Sequence, residues 1–145
     1  MKKPRVFFNA SVILSGINSP KGGSGLLLKW AKEKKLKGVI SEIVLAEVLR
    51  HAEKIGWEKK KMEQTMLAIF QQVLPTPKTP EVEIWKEIVT DPGDAHLFAS
   101  TIRTKCDFLV SLDKKHVLIL KDKIKNLKIV SPAEFLELKR QRMIQ

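Results

Sequence analysis

The stretch Thr90-Asp-Pro-Gly-Asp-Ala-His-Leu97, followed by Phe108-Leu-Val-Ser-Leu-Asp113, decides the fold of this chain. In the first part, a turn opens a helix and places a carboxylate at the start of that helix. In the second part, a short apolar run predicts a buried strand that leads to another carboxylate. Parallel α/β sheets collect their ligands at the carboxyl ends of the strands. We therefore expect a cation site at that edge, completed by acidic residues from other segments.

Composition is that of an ordinary soluble globular domain. The chain has 145 residues, of which 43% are hydrophobic and 30% are charged, so we expect one domain over residues 1–145. No apolar run approaches the roughly 20 residues that a membrane helix needs, and the apolar run after the basic start ends at Asn9, too early for a signal peptide. A single cysteine favours a reducing compartment, the cytoplasm.

The net charge points to polyanionic partners. Formal charge is +11, from 27 Lys and Arg residues against 16 Asp and Glu residues. Such an excess favours nucleic acid, and acidic membrane surfaces second. The alternative is a solvated Lys/Glu-rich surface, because the charges are spread over several elements.

Four apolar segments predict strands, and the segments between them have helical spacing. The strands are expected at residues 5–8, 39–40, 107–111 and 128–130. Residues 11–16 are expected to turn out of the sheet, and the glycine-rich residues 18–25 to form a loop. The alternation predicts an α/β fold with a small parallel sheet.

Capping residues and apolar spacing set the expected helices. Gly38 is expected to cap a helix that ends near Leu36, Ser41 to begin the next helix, and Ser131 with Pro132 to begin the last. The helices are expected at residues 26–36, 42–54, 57–73, 81–89, 94–104, 114–120 and from 132 onward.

Four polar residues stand where a site of this kind needs them. Asn9 and Asp113 follow strands, Asp94 opens a helix, and Glu47 lies on the apolar face of the helix that follows Ser41. Each has a second explanation. Glu47 can reach water from the edge of the apolar face, and Asp94 and the nearby Asp91 can be helix caps.

In five blocks the sequence resembles the PIN-domain family, metal-dependent ribonucleases that include the VapC-like toxins of toxin–antitoxin pairs. The likeness covers nearly the whole chain, and five blocks in the right order are more specific than any one of them. The blocks are Val6-Phe-Phe-Asn-Ala-Ser-Val-Ile-Leu-Ser15, Ser41-Glu-Ile-Val-Leu-Ala-Glu-Val-Leu49, Asp91-Pro-Gly-Asp-Ala-His-Leu-Phe-Ala-Ser100, Cys106-Asp-Phe-Leu-Val-Ser-Leu-Asp-Lys-Lys-His116 and Ile129-Val-Ser-Pro-Ala-Glu-Phe-Leu136.

This resemblance implies a three-layer α/β/α domain with an acidic site for one or two Mg²⁺ or Mn²⁺ ions. Carried over by position, the catalytic and metal-binding carboxylates fall on Glu47, Asp94 and Asp113, with Asn9 as a further ligand and Ser11 and Asp91 as supporting residues. Hard divalent cations take oxygen ligands of this kind. The resemblance also implies RNA as substrate, a cognate antitoxin protein and a homodimer.

Asn9 departs from the family, which has aspartate at this position. An amide oxygen still coordinates a cation but brings no negative charge, which lowers the metal affinity. A weakened nuclease, a PIN-like module that binds RNA or a partner without cutting, and an engineered inactivating substitution are all consistent with this residue. A basic scaffold without a nucleic-acid role is the remaining alternative.

Other chemistries fit the sequence less well. The glycines near residue 22 lack the Lys-Ser/Thr of a phosphate-binding loop. The three histidines and Cys106 lack the close spacing of a zinc site, and no Gly-x-Ser-x-Gly pattern indicates acyl transfer. A phosphoryl-accepting receiver domain needs paired acids early in the chain, where only Asn9 stands.

Overall fold

The computed structural model describes residues 3–141. At its centre lies a sheet of five parallel strands in the order β3-β2-β1-β4-β5. The strands are β1 (Arg5–Phe8), β2 (Lys37–Ser41), β3 (Gln72–Leu74), β4 (Phe108–Val110) and β5 (Lys128–Val130). The α-helices of this part of the chain are α1 (Ala10–Asn18), α2 (Gly23–Lys32), α3 (Glu42–Ala52), α4 (Lys59–Ile69), α5 (Thr79–Lys86), α6 (Ala95–Arg103) and α7 (Pro132–Arg140). Short 3-10 helices cover Glu53–Ile55, Pro92–Asp94 and Leu118–Leu120.

Strand β1 forms the middle of the sheet because its side chains are apolar on both faces. Val6, Phe7 and Phe8 are completely buried, as parallel strands covered by helices on both sides must be. Phe8 contacts Phe70 edge to face, with ring centroids 5.1 Å apart. Helices α1 to α4 pack against one another, and α5 packs on α6. The expected three-layer α/β/α architecture is confirmed.

The strand order reverses between β1 and β4, so this pair is the topological switch point of the sheet. In open α/β sheets, ligands bind in the crevice at the carboxyl ends of the strands flanking such a point. The residues that follow β1 and β4 are therefore the first place to look for a site. No helix within residues 3–141 has the length and apolarity needed to cross a bilayer.

The predictions of a turn over residues 11–16 and of a loop over residues 18–25 are wrong. Helix α1 covers residues 10–18 and α2 starts at Gly23, so irregular backbone is limited to residues 19–22. A Cβ atom on Gly25 would lie 2.2 Å from the Pro20 carbonyl oxygen. Glycine is needed there because the first turn of α2 lies directly against the preceding turn. The same residue type is typical of loops, which is why the sequence pattern misled.

Two further boundaries differ from expectation. Helix α2 ends at Lys32, and the chain reverses at Lys34 in the left-handed region, with φ of 61°. Gly38, the expected cap, lies inside β2. The expected caps at Ser41 and Ser131 are confirmed: Ser41 Oγ accepts the Val44 N–H, and the Ser131 cap is a complete capping box.

The sheet also has a strand that the sequence did not indicate. Residues 72–74 pair with β2 as the edge strand β3, whereas helical spacing had assigned residues 72 and 73 to the end of a long helix. Helix α4 ends because Phe70 is extended, with φ of −97° and ψ of 126°. Ile55, an apolar residue in the 3-10 helix after α3, is 42% exposed. The helix expected over residues 114–120 is reduced to the 3-10 helix Leu118–Leu120.

Candidate functional site

The ends of β1 and β4 are joined by polar residues at the switch point. Phe8 pairs with Val110 in the parallel register, so Asn9 and Ser111 emerge side by side from the carboxyl edge. The Asn9 N–H donates to the Val110 carbonyl at 3.0 Å, which continues the strand pairing one residue further. From here Asn9 becomes the N-cap of α1.

Ser111 positions the residues on both sides of it. Its hydroxyl oxygen is buried and accepts hydrogen bonds from Asn9 Nδ2 at 2.9 Å and from the Asp113 N–H at 3.0 Å. Asn9 Oδ1 accepts the Ala10 N–H at 2.8 Å. Because a backbone N–H can only donate, this contact fixes the orientation of the Asn9 amide. Ser11 Oγ accepts the Leu112 N–H at 3.1 Å, which joins the start of α1 to the segment that follows β4.

Asp91 and Asp94 lie on the turn that opens α6. Asp91 Oδ1 accepts the Gly93 N–H at 2.9 Å and caps the 3-10 helix Pro92–Asp94. Asp94 makes no capping hydrogen bond to α6. The capping explanation therefore holds for Asp91 but not for Asp94, whose carboxylate is half-buried without that role.

A close group of three possible ligands forms around Asp94. Asp91, Asp94 and His116 each present one ligand atom, and these atoms lie within 4.8 Å of one another. His116 also supports Asp113. The backbone N–H of His116 donates to Asp113 Oδ1 at 3.0 Å, and the ring Nδ1 of His116 lies 3.4 Å from Asp113 Oδ2. His116 thus connects the end of β4 to the start of α6.

Glu47 reaches the site from α3 and contacts α6. Its Oε1 atom lies 3.5 Å from His96 Nε2, and the two side chains are 30% and 13% exposed. Burial lowers the pKa of His96, so the imidazole is neutral near pH 7 and brings no charge to Glu47. Burial also raises the pKa of Glu47, opposed by the charges of Arg50 and His51. Glu47 is held against the protein rather than extended into water.

The four carboxylates form one group because the charges of three of them act on the fourth, Asp94. The pKa of Asp94 is raised from 3.8 to about 6, first by burial and then by the negative charges of Asp91, Asp113 and Glu47, with His116 opposing the rise. Within residues 3–141, none of these four acids forms an ion pair with Lys or Arg. Negative charge is concentrated here, in a protein whose net charge is +11.

The structure therefore does not bring all of the expected site residues equally close together. Asp94 is central, and the charges of Glu47 and Asp113 reach it, although these two are not members of the close group. Asn9 joins through Ser111. Sequence reasoning missed His116 and Ser111, because their partners are set by an irregular turn and by strand register. The one available signal was the three-residue spacing from Asp113 to His116.

The donor set fits a hard divalent cation. Most of the available ligand atoms are carboxylate oxygens, which suit Mg²⁺ and Mn²⁺, while the single imidazole falls short of a zinc or copper site. Bound positive charge would also relieve the repulsion that raises the pKa of Asp94. A group of like charges that forms no ion pair with Lys or Arg among the described residues has the character of a cation site.

Ser111→Ala is expected to destabilise the protein by about 1–3 kcal/mol, because it leaves the Asn9 amide and the Asp113 N–H without their acceptor. Ser100 provides a matched control. It is also a buried serine, but its hydroxyl has no hydrogen-bond partner among residues 3–141, so Ser100→Ala should leave stability unchanged or raise it. Urea unfolding of both variants measures the difference, and equal losses would contradict the role given to Ser111.

Fold and site together define an α/β/α protein with an acidic centre at its switch point. A family model described as "PIN domain" matches residues 5–115. The chain belongs to the PIN domain family, whose members are generally nucleases. Among curated protein sequences, none matches the chain.

Solved structures share this fold at low sequence identity. VapBC2 from Rickettsia felis, bound to a promoter DNA fragment, matches with a TM-score of 0.60 and 16% identity, over 88% of this chain and 98% of that one. FitAB bound to an IR36 DNA fragment matches with a TM-score of 0.62 and 18% identity, over 88% and 94%. PAE2754 from Pyrobaculum aerophilum matches with a TM-score of 0.58 and 16% identity, over 92% and 87%.

Proposed function

We propose that this chain is a Mg²⁺- or Mn²⁺-dependent endoribonuclease of the cytoplasm, formed by one PIN-like domain and acting as the toxin of a toxin–antitoxin pair. The observation that carries the proposal is the acidic group around Asp94. Carboxylates from separate segments converge at the switch point of the sheet, and burial together with the negative charges of its neighbours raises the pKa of Asp94 to about 6. Such a strongly perturbed group at a point where several elements meet is typical of a functional site.

Asp94, Glu47 and Asp113 would hold the cation, with Asn9 supplying an amide oxygen. When bound, the cation activates a water molecule and neutralises charge on the phosphodiester. Asp91 adds negative charge next to Asp94 while its other oxygen caps the turn. These residues come from four different segments, so the tertiary fold holds the ligands in position before the cation binds.

Neighbouring side chains keep the ligands in place. The backbone N–H of His116 donates to the Asp113 carboxylate at 3.0 Å, and the Ser111 hydroxyl accepts the backbone N–H of Asp113. The neutral His96 blocks one side of Glu47. Lys114 and Lys115 follow Asp113 directly and are exposed, where they can hold the phosphates of RNA without selecting a base sequence.

A catalytically impaired PIN-like module is the second candidate, and Asn9 favours it. The Asn9 side chain caps α1 through Oδ1 and donates to Ser111 through Nδ2, so its geometry is compatible with a purely structural role. In that case the protein binds RNA or a partner protein without cutting. Salt-dependent RNA binding without cleavage products would distinguish this candidate from the nuclease.

A protein partner is also proposed. The similarity to VapBC2 and FitAB supports a cognate antitoxin, and exposed apolar residues provide contact surface. Leu67 on α4 and Ile84 on α5 are 56% and 65% exposed; such side chains, when they cluster, mark interaction sites. We propose a homodimer as well, and sedimentation showing a monomer at high concentration would remove it.

Cleavage of end-labelled single-stranded RNA tests the proposed function. The protein is incubated with Mn²⁺, with Mg²⁺ or with EDTA, and a DNA strand of the same sequence is the control substrate. Cleavage of RNA is expected with either metal and not with EDTA. Cleavage that persists in EDTA would exclude metal dependence, and equal cleavage of DNA would exclude a specific ribonuclease.

A further inference from the structure

A second charged surface lies at the opposite edge of the sheet. An open cleft of about 980 Å³ is lined by the segments that lead into β1, β2, β4 and β5, together with the end of α6. The acidic residues around Asp94 are not among its lining residues. Strand β1 has four residues and so separates the two edges by about 13 Å.

Positive charge dominates the cleft. Six of its lining residues are Lys or Arg and one is acidic: Lys3, Arg5, Lys37, Lys105, Lys125 and Lys128 against Asp107. Asp107 is already engaged, since its Oδ2 atom accepts the Arg5 N–H at 2.8 Å. A cleft of this composition attracts anions and repels cations.

Arg5 carries an unsatisfied donor on this surface. Its Nε atom is buried and has no hydrogen-bond partner within the described part of the chain. Burial raises the pKa of the Cys106 thiol and the Arg5 charge opposes that rise, which places the guanidinium group beside the lining residue Cys106. The Arg5 guanidinium group therefore adds positive charge to the wall of the cleft, and guanidinium groups bind phosphate oxygens strongly.

Lys105 occupies a backbone position that favours glycine. It ends α6 in the left-handed region, with φ of 54°, while its N–H donates to the Ile102 carbonyl and the Cys106 N–H to the Thr101 carbonyl. Glycine is the common residue at this point of a helix end, because a side chain there is strained. Lys34 ends α2 with the same geometry, with φ of 61°, but it is not a lining residue of the cleft.

We propose that this basic cleft binds the sugar–phosphate backbone of a nucleic-acid strand at a site separate from the acidic centre. The cations come from several segments and border an open cleft, which suits successive phosphates better than a single phosphate ion. Phe108, the aromatic residue of the lining, is 3% exposed. Since no exposed ring of the lining can stack on a base, recognition rests on the backbone and is independent of sequence.

This inference goes beyond the proposed function, because binding at the cleft requires neither cation nor cleavage. A strand held at one edge of the sheet stays near the acidic edge, which raises its effective concentration there. The cleft would therefore favour longer strands over short ones as substrates.

Equilibrium binding of fluorescein-labelled oligouridylate in EDTA tests the proposal. Lys105→Gly is expected to weaken binding roughly three- to tenfold and to lower the slope of log affinity against log salt by about 0.7, the value for one lost phosphate contact to a single strand. The same variant should raise the unfolding temperature, because it relieves the left-handed strain. Loss of affinity therefore cannot result from loss of folding.

Lys34→Gly is the matched control, since it removes one charge and the same strain at a residue that does not line the cleft. It should raise the unfolding temperature and leave binding unchanged. A triple variant, Lys37→Gln/Lys105→Gly/Lys125→Gln, should lose on the order of 100-fold in affinity. Its control of equal net charge, Lys34→Gly/Lys59→Gln/Lys60→Gln, should retain most of the affinity.

Equal losses in the two triple variants would overturn the proposal, because they would show a diffuse charge effect. Oligothymidylate should bind comparably to oligouridylate, and a strong preference for either would contradict recognition of the backbone alone. Lys105-dependent binding of phosphatidylserine vesicles without oligonucleotide binding would show a membrane surface and overturn it too. Because binding is measured in EDTA, where the proposed nuclease is inactive, failure of this site and failure of the nuclease are separate results.

Discussion

Asp94→Asn is expected to abolish metal-dependent RNA cleavage and, at the same time, to stabilise the metal-free protein. The attraction between one carboxylate and a divalent ion is at most about 8 kcal/mol at about 4 Å and an effective dielectric constant of about 20. Removing one charged ligand loses part of this attraction. A third of that maximum corresponds to roughly a 100-fold loss of metal affinity. Cleavage at limiting Mn²⁺ should fall by at least this factor.

The stability effect follows from the sign of the pKa shift. The pKa of Asp94 is raised from 3.8 to about 6 by burial and by Asp91, Asp113 and Glu47, so the ionised form is disfavoured in the folded protein. The destabilisation is absent below the unfolded value, develops as the pH rises from about 4 to 6, and is complete at pH 7. The pKa shift corresponds to a destabilisation of at most about 3 kcal/mol. Solvent screening at this half-exposed site reduces the destabilisation to about 1 kcal/mol.

Urea unfolding in EDTA at pH 4 and pH 7 measures this effect. Asp94→Asn should exceed the native chain in stability at pH 7 and lose that advantage at pH 4, and added Mn²⁺ should reverse the order at pH 7. Asp122→Asn is the control, because Asp122 is exposed and lies outside the acidic group. An Asp94→Asn protein that is no more stable at pH 7 and still cuts RNA would remove Asp94 from the site.

Asn9→Asp is expected to increase Mn²⁺ affinity by tenfold or more and to increase cleavage at limiting metal. The added charge lies at the switch point, one hydrogen-bonded residue away from the backbone of Asp113. The hydrogen bonds accommodate it: the Ser111 hydroxyl can rotate to donate to the new carboxylate while it still accepts the Asp113 N–H. Even a fraction of the Coulomb attraction to a divalent ion amounts to a factor of ten.

Calorimetric titration with Mn²⁺ measures this gain. Asn126→Asp is the matched control, because it adds the same charge at the basic cleft on the opposite edge of the sheet. In EDTA, Asn9→Asp should be less stable than the native chain, since another negative charge joins the group around Asp94. Equal Mn²⁺ affinities of native, Asn9→Asp and Asn126→Asp proteins would show that Asn9 is not near a cation.

Much of the fold could be predicted because its main elements have clear local sequence signals. Strands β1 and β4 are continuous apolar runs, and Ser41 and Ser131 are capping residues followed by helical spacing. The edge strand β3 could not be predicted, because three residues after a helix carry too little periodicity and are fixed only by pairing with β2. The glycines near α1 and α2 led to a wrong loop prediction, because close helix packing and loops favour the same residue.

The candidate site was predictable for the residues whose chemistry conflicts with their surroundings. Glu47 on an apolar helix face and Asp94 at a helix start are noticeable in the sequence alone, and the family resemblance joined them to Asp113. His116, Ser111 and His96 depend on contacts between segments about 50 to 100 residues apart or across an irregular turn. Such contacts have no local signature, so only the folded chain places these side chains next to the carboxylates.

Cleavage of end-labelled single-stranded RNA by the native chain and by Asn9→Asp, over a series of Mn²⁺ concentrations, tests the acidic centre most directly. A metal-dependent nuclease site predicts cutting that requires Mn²⁺, begins at lower Mn²⁺ in Asn9→Asp, and disappears in Asp94→Asn. Cutting by Asn9→Asp alone would show that the site is real and that asparagine has switched it off. If neither protein cuts RNA at any Mn²⁺ concentration, the acidic centre is not a nuclease site, and RNA or partner binding becomes the function of this fold.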